Sequence, residues 1–223
     1  PGKRLTPKTK PKSPDKGGRP PIVRPIVIVG GGHMGGAFAR GLIAAGLGPR
    51  LILIDPAMKA PDARAFRAAG AATGRDVATI TVPPEAIILA IKPQMMAAVA
   101  PAYAQAARKA VVISIAAGTP IESLRLWLNE PPALVRAMPN LPAAIGKGVS
   151  AAYATRTTTP AQRKLVEKLL RAVGDMVWLN GEELVNAVTA VSGSGPAYVF
   201  LLAEALAKAA ERIGLAPDVA ALL

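Results

Sequence analysis

The sequence predicts an α/β protein: a Rossmann-type, doubly wound sheet followed by an all-helical C-terminal domain. Three observations lead there. Short, continuous Val/Ile/Leu runs alternate with helical stretches through most of the chain. A glycine-rich turn joins the first run to the first helical stretch. From Glu182 onward the strand pattern stops and only helical patterning continues. Apolar runs separated by helices mean parallel strands covered on both faces.

Taken in order, Ile26–Val29 reads as a buried strand, followed by the glycine turn and an amphipathic helix near 34–46. Leu51–Ile54 is a second strand and 60–69 a second helix. Val77–Val82 and Ala86–Ile91 read as two further strands, 94–109 as a helix and Ala110–Ile115 as a strand. Ala133–Ala137, Val149–Tyr153 and Met176–Leu179 extend the sheet, with a helix at 160–173 before the last of them. The organisation is therefore a basic tail over 1–25, a dinucleotide-binding domain over 26–180, and the start of a helical domain over 181–223, with the boundary at "LNGEE".

Composition excludes several classes. Hydrophobic residues make up 51% of the 223, enough for a real core, and no uninterrupted apolar run approaches the ~18 residues of a membrane span. With no cysteine and a single histidine, His33, neither a thiolate nor a histidine-built metal site is available. The net charge of +13 suggests nucleic acid, but its distribution argues against that: residues 1–25 carry +7 of it. That segment holds seven prolines and little apolar surface, too little to offset the entropy of ordering it. It reads as a solvated, disordered tail without the apolar stretch of a secretory signal. A minor-groove arm in "GGRPP" is the weaker alternative.

"IVIVGGGHMGGAFARGL" places Gly30-x-Gly32-x-x-Gly35 between a strand and a helix. Gly30 permits the tight turn, Gly32 lets a pyrophosphate approach the backbone, and Gly35 lets the helix pack on the sheet. The helix N-terminus then attracts the phosphates. His33 and Met34 belong to the same turn; His33 is expected to touch phosphate rather than to catalyse. Asp55 ends "LILID" where an acid takes the adenosine ribose hydroxyls. Capping the Asp-Pro turn is its alternative role, and Lys59 and Arg64 are candidates for a 2′-phosphate. Either NADPH or NADH fits.

Ligands of open α/β sheets lie beyond the carboxyl ends of the strands. Here those ends read Lys92-Pro93-Gln94, Ala116-Ala117-Gly118 and Met138-Pro139-Asn140. Small residues let a flat nicotinamide lie against backbone, whereas a Pro after a strand can simply end pairing. None of the three supplies an acid–base pair, so no catalytic residue is assigned; hydride chemistry can be carried by a cofactor.

"IVGGGHMGGAFARGLIAAG", "AIKPQ", "VISIAAG", "RAMPNLPAAIGKG" and "AVTAVSGSGPAYVFLLAEAL" together resemble the pyrroline-5-carboxylate reductase family over roughly residues 26–215. The resemblance implies NAD(P)H-dependent reduction of the cyclic imine 1-pyrroline-5-carboxylate to L-proline, in the cytoplasm. It implies that Lys92, Pro93, Ala116 and Ala117 line the ribose and nicotinamide. Pro139 and Asn140 would lie at the junction of nicotinamide and substrate. Ser192, Gly193, Ser194 and Gly195 would hold the substrate carboxylate. "SGSGP" reads as a loop opening a helix, with Ser194 or Gly195 as N-cap and Pro196 in the first turn, its free N–H groups turned to the anion.

The family usually continues past this point through a "SPGGTT"-like segment and further helices that build a homodimer or larger homo-oligomer. This chain is therefore expected to be truncated, and inactive alone. Neither a membrane nor nucleic acid is an expected partner. Two rival functions remain: a catalytically impaired dinucleotide-binding protein, and a related imine or hydroxyacid reductase on the same scaffold. The second is disfavoured because "GEELVNAVTAVSG" lacks the lysine a hydroxyacid enzyme would want as acid.

Overall fold

The computed structural model describes residues 23–223. Most of the expected basic tail thus lies outside the described residues. Arg24 and Pro25, counted with that tail, already belong to the sheet edge. The Pro25 carbonyl accepts from Glu85 N–H at 2.8 Å, and the Arg24 guanidinium donates to the carbonyls of Pro84 and Lys109.

The first half of the chain alternates as expected. β1 (Ile26–Val29), α1 (His33–Ala44), β2 (Leu51–Ile54), α2 (Ala60–Ala68), β3 (Ala72–Gly74) and β4 (Ala86–Leu89) come first. The helical turns α3 (Met96–Val99) and α4 (Ala104–Ala107) lead to β5 (Val111–Ser114), α5 (Ile121–Trp127) and β6 (Ala133–Met138). β7 (Gly148–Ala154), α6 (Pro160–Arg171) and β8 (Gly174–Trp178) close the sheet. The strand order is β3-β2-β1-β4-β5-β6-β7-β8. The first six are parallel, in the doubly wound dinucleotide-binding order.

Strand alternation divides the core in two. Ile26 and Ile28 pack with Phe38 and Leu42 of α1 and with Val166, Leu169 and Leu170 of α6. Val27 and Val29 pack on the other face with Met96, Tyr103 and Leu124. Phe38 is fully buried, so its truncation to Ala should cost about 3–5 kcal/mol. α6 begins with a capping box, in which the Thr159 hydroxyl accepts from Gln162 N–H and the Gln162 side chain accepts from Thr159 N–H.

Four local expectations are corrected. Residues 77–82 are not a strand: Asp76 Oδ1 accepts from Ala78 N–H at 3.0 Å and starts a 3-10 turn over Val77–Thr79. The edge strand is instead the three-residue β3, whose Ala-Thr-Gly carries almost no strand signature. The 94–109 helix is broken into alternating 3-10 and α turns, with Pro101, which has no N–H to donate, inside the break. α5 falls in a stretch for which the sequence pattern predicts no helix. β7 runs antiparallel to β6, because the Leu141–Ile145 turn between them is too short for a parallel crossover.

Beyond β8 the chain is helical: α7 (Leu184–Val188), a π turn (Thr189–Gly193), α8 (Gly195–Arg212) and α9 (Pro217–Leu222). The first three form one continuous helix from Leu184 to Arg212, long and apolar enough by length and composition to cross a membrane. No uninterrupted apolar run in the sequence indicated this, because the helix carries Ser, Gly, Pro and Glu along its length. α8 buries none of its residues against the described chain; Tyr198, Phe200, Leu201, Leu202 and Leu206 are all exposed.

Candidate functional site

The strand β1 ends where the chain must turn sharply into α1. Gly30 takes φ +97°, and a Cβ there would stand 2.5 Å from the Ala90 carbonyl oxygen. A Cβ on Gly35 would stand 1.9 Å from the Gly30 carbonyl oxygen, so helix and turn meet backbone to backbone. Gly32 is different: nothing among the described residues lies within 4 Å of its would-be Cβ. It is the N-cap of α1 and faces open space, which is what a phosphate approaching the first turn requires.

Gly30 and Gly32 line a cleft of about 530 Å³ with Asp55, Arg75, Asp76, Lys92 and Tyr103. The Asp55 carboxylate is already engaged: one oxygen accepts from Gly31 N–H at 2.6 Å, the other from Ala57 N–H at 2.8 Å. It therefore caps both the glycine turn and the Asp-Pro turn. A carboxylate has about four lone-pair sites, so acceptor capacity remains for ribose hydroxyls. Lys59 and Arg64 are exposed and outside the cleft lining; the cations in the lining are Arg75 and Lys92. Arg75 Nη2 approaches the Pro56 carbonyl at 3.4 Å.

Tyr103, also in the cleft lining, is only 4% exposed. Burial, with a smaller contribution from the negative charge of Asp76, pushes its phenol up to about 12. It remains a neutral donor through the physiological range.

The remaining predicted residues fall into three groups. His33 is exposed at the first position of α1, Met34 packs partly against the core, and Gly35 is buried. Lys92 lines the cleft and Pro93 opens a 3-10 turn beside it, while Ala116 is buried and Ala117 half-buried at the end of β5. Pro139 is buried beyond the end of β6. Asn140 Oδ1 accepts from Val149 N–H at 2.9 Å and so closes the β6–β7 turn, leaving its amide N–H groups free to donate elsewhere.

The stretch Ser192–Gly195 is not a loop opening a helix. The chain is helical throughout, and Ser194, with αR dihedrals and no side-chain cap, donates its N–H to the Thr189 carbonyl five residues back at 3.0 Å. Pro196 has no N–H for the Ser192 carbonyl, so the regular ladder cannot continue, and the helix widens into a π turn instead. The hydroxyls of Thr189, Ser192 and Ser194 donate to the carbonyls of Val185, Val188 and Thr189. A fan of free N–H groups is therefore not what this segment offers. The widened turn does pack on the end of β6: a Cβ on Gly193 would stand 2.9 Å from Met138 Cε. Gly195 faces open space.

Arg75, Tyr103 and Arg136 were not singled out in the sequence. Arg75 was hidden by the misplaced strand: only with β3 at Ala72–Gly74 does residue 75 fall at a strand's carboxyl end, over the cleft.

The doubly wound sheet, glycine turn and cleft define a dinucleotide-binding oxidoreductase scaffold joined to a helical segment. Comparison with known proteins agrees part by part. Residues 25–118 match the family model "NADP oxidoreductase coenzyme F420-dependent", and residues 182–223 match "Pyrroline-5-carboxylate reductase dimerisation". A pyrroline-5-carboxylate reductase of Pseudomonas aeruginosa is 39% identical over 205 residues, 89% of this chain and 73% of that protein. One of Haemophilus influenzae is 39% identical over 82% of this chain and 68% of that protein. The structure of a pyrroline-5-carboxylate reductase from Coxiella burnetii superposes with a TM-score of 0.80 at 33% identity, covering 90% of this chain and 75% of that one. The chain belongs to the pyrroline-5-carboxylate reductase family.

Proposed function

We propose that this chain reduces 1-pyrroline-5-carboxylate to L-proline with NADPH or NADH, its dinucleotide lying along the cleft from Gly32 to Tyr103. The observation that carries the reading is the pairing of two open glycine positions, Gly32 at the head of α1 and Gly195 beyond the π turn that packs on β6. The cleft fits the cofactor: Gly32 leaves the space a pyrophosphate needs, Asp55 keeps acceptor capacity, and Arg75 supplies a cation. A reduced nicotinamide bound there supplies the hydride for the C=N carbon; the imine nitrogen takes a proton from water or arrives already protonated.

The protein's own contribution is placement. Small residues at Ala116 and Ala117 leave room for a flat ring, and His33 and Met34 flank the phosphate turn. Lys92 and Pro93 border the ribose. Pro139 and Asn140 sit between ring and imine, with the free Asn140 amide able to donate. Ser192, Gly193, Ser194 and Gly195 hold the substrate carboxylate once a serine hydroxyl turns from its helix carbonyl to the anion, exchanging one hydrogen bond for a charge-assisted one. Holding the reacting atoms at near-attack distance is where the rate gain arises.

The dinucleotide domain spans 26–180 and the helical segment begins at 181. The exposed apolar face of α8 is read as a surface buried between copies of the chain in a homo-oligomer rather than as a membrane span, and the protein as cytoplasmic, with no nucleic-acid partner. Steady-state rates with pyrroline-5-carboxylate and each dinucleotide test the function. Tight dinucleotide binding without turnover at any protein concentration would favour a binding protein instead.

A further inference from the structure

We infer that Arg136 is a positioning residue for the reaction, fixing the π turn of the helical segment to the cofactor-facing ends of the sheet. Arg136 lies on β6 and is only 4% exposed, in a strand whose neighbours are otherwise apolar or small. Its Nη1 donates to Glu182 Oε1 at 2.8 Å and its Nη2 to Asn186 Oδ1 at 3.2 Å. The same Glu182 oxygen accepts from Ile121 N–H at 2.7 Å. One carboxylate oxygen thus joins three pieces of chain: β6, the segment that follows the Ala116-Ala117-Gly118 turn, and the residues leading into α7.

A buried arginine is a costly way to hold two elements together. Replacing such a pair with apolar residues is often neutral or stabilising, so stability alone is a weak reason for it. Here Arg136 Nε also has no hydrogen-bond partner among the described residues, so the guanidinium is not optimally satisfied by them. What the pair supplies that apolar packing does not is direction. Strand alternation puts Arg136 and Met138 on the same face of β6, roughly 7 Å apart. Arg136 grips the start of α7 through Glu182 and Asn186, and Met138 Cε meets the π turn at Gly193. Two points on one strand therefore set the angle at which the helix crosses the sheet end. Pro139 and Asn140 follow directly, and through Ile121 the same oxygen restrains the turn beyond β5.

The inference rests on the reading that the cofactor lies over the sheet ends and the substrate at the π turn. Loosening the latch should then leave dinucleotide binding alone and misplace the imine. The informative variant is the double substitution R136M/E182M, which removes the directional bonds without leaving a charge buried and unpaired. We expect it to fold, to bind NADPH within about twofold of the parent, and to lose about tenfold or more in kcat/KM for the imine, since a displacement near 1 Å can cost up to a hundredfold. E182Q keeps an oxygen acceptor for Ile121 N–H and for Arg136, and should recover most of that loss.

Amide hydrogen exchange over residues 186–195 reads the latch without turnover. It should rise at least severalfold in R136M/E182M and return in E182Q, while β1 to β5 stay unchanged. Wild-type kcat/KM in R136M/E182M would show that the pair only neutralises charge, and overturns the inference. Equal losses in NADPH affinity and turnover would also overturn it, as a general structural defect. If the parent chain fails to reduce the imine but exchange changes as expected, the functional reading falls and the latch stands. Unchanged exchange over 186–195 removes the latch whatever the parent's activity.

Discussion

The two glycine-rich stretches open space in opposite ways. At the β1–α1 turn the backbone leaves the regular structure altogether: Gly30 adopts φ +97°, and Gly35 lets the helix return so closely that any Cβ would strike the Gly30 carbonyl. At the π turn neither Gly193 nor Gly195 has a positive φ, and the helix never breaks. Space there comes from a missing donor at Pro196 and a widened hydrogen-bond ladder. The first turn is rigid because its glycines are sterically obligatory. The second is held by its neighbours, Met138 above all, and so depends on how the helix is docked.

That contrast can be broken at each side. The largest effect is expected from Gly32→Val, which fills open space rather than displacing backbone. Dinucleotide binding should vanish in calorimetric titration while the melting temperature stays within a few degrees; retained affinity would remove the phosphate from this turn. Next is Gly195→Val. Crowding the carboxylate away from the serine hydroxyl proposed to hold it, at roughly 1.5–3 kcal/mol for one charge-assisted hydrogen bond, should raise the imine KM at least tenfold. NADPH affinity should change by less than about threefold, because no principal phosphate contact is touched. The reverse pattern would place the substrate on the other side of the cleft.

Two smaller changes sharpen the first turn. Arg75→Ala should weaken NADPH by about tenfold and leave NADH nearly unaffected, as expected for loss of one charge-assisted contact to a 2′-phosphate. Asp55→Ala should weaken NADH more than NADPH, since it removes a ribose acceptor together with a negative charge. Ratios of kcat/KM for the two dinucleotides report both. If neither ratio moves, Asp55 is a turn cap and Arg75 a surface cation. The smallest effect is confined to alkaline pH. The Tyr103 phenol is raised from 10.0 to about 12, so the folded state holds its proton more tightly than the unfolded one. Its contribution is complete below pH 10 and is lost as pH rises toward 12. Denaturant titrations should show Tyr103→Phe losing less stability than the parent across that window.

The sequence made the first turn legible because its logic is local: strand, glycine spacing and helix lie within one short segment. β1, β2, β4 and β5 were legible for the same reason, each built on a continuous apolar run. The π turn was not. Gly and Ser between two helical stretches look like a loop, and only tertiary docking on β6, with Pro196 inside the helix, makes them one widened turn. The placement of Arg75 was lost with β3, whose pairing to β2 holds a segment that has no strand signature of its own. The Arg136–Glu182–Asn186 latch joins residues 46 and 50 positions apart, and no local pattern marks such a pair.

The bare face of α8 has a consequence of another kind. A helix whose Tyr198, Phe200, Leu201 and Leu206 find no cover among the described residues draws little of its stability from them. If copies of the chain cover that face, as proposed, its folding would be coupled by mass action to their supply, whereas the sheet carries its core internally. The two parts would answer differently to dilution. The proposed dinucleotide cleft would persist at any concentration, and the helix proposed to complete the substrate side would form only when enough protein is present to share it. Catalytic competence in such a molecule would be a titratable property of the population, with a half-point set by the association constant rather than by the fold of a single chain.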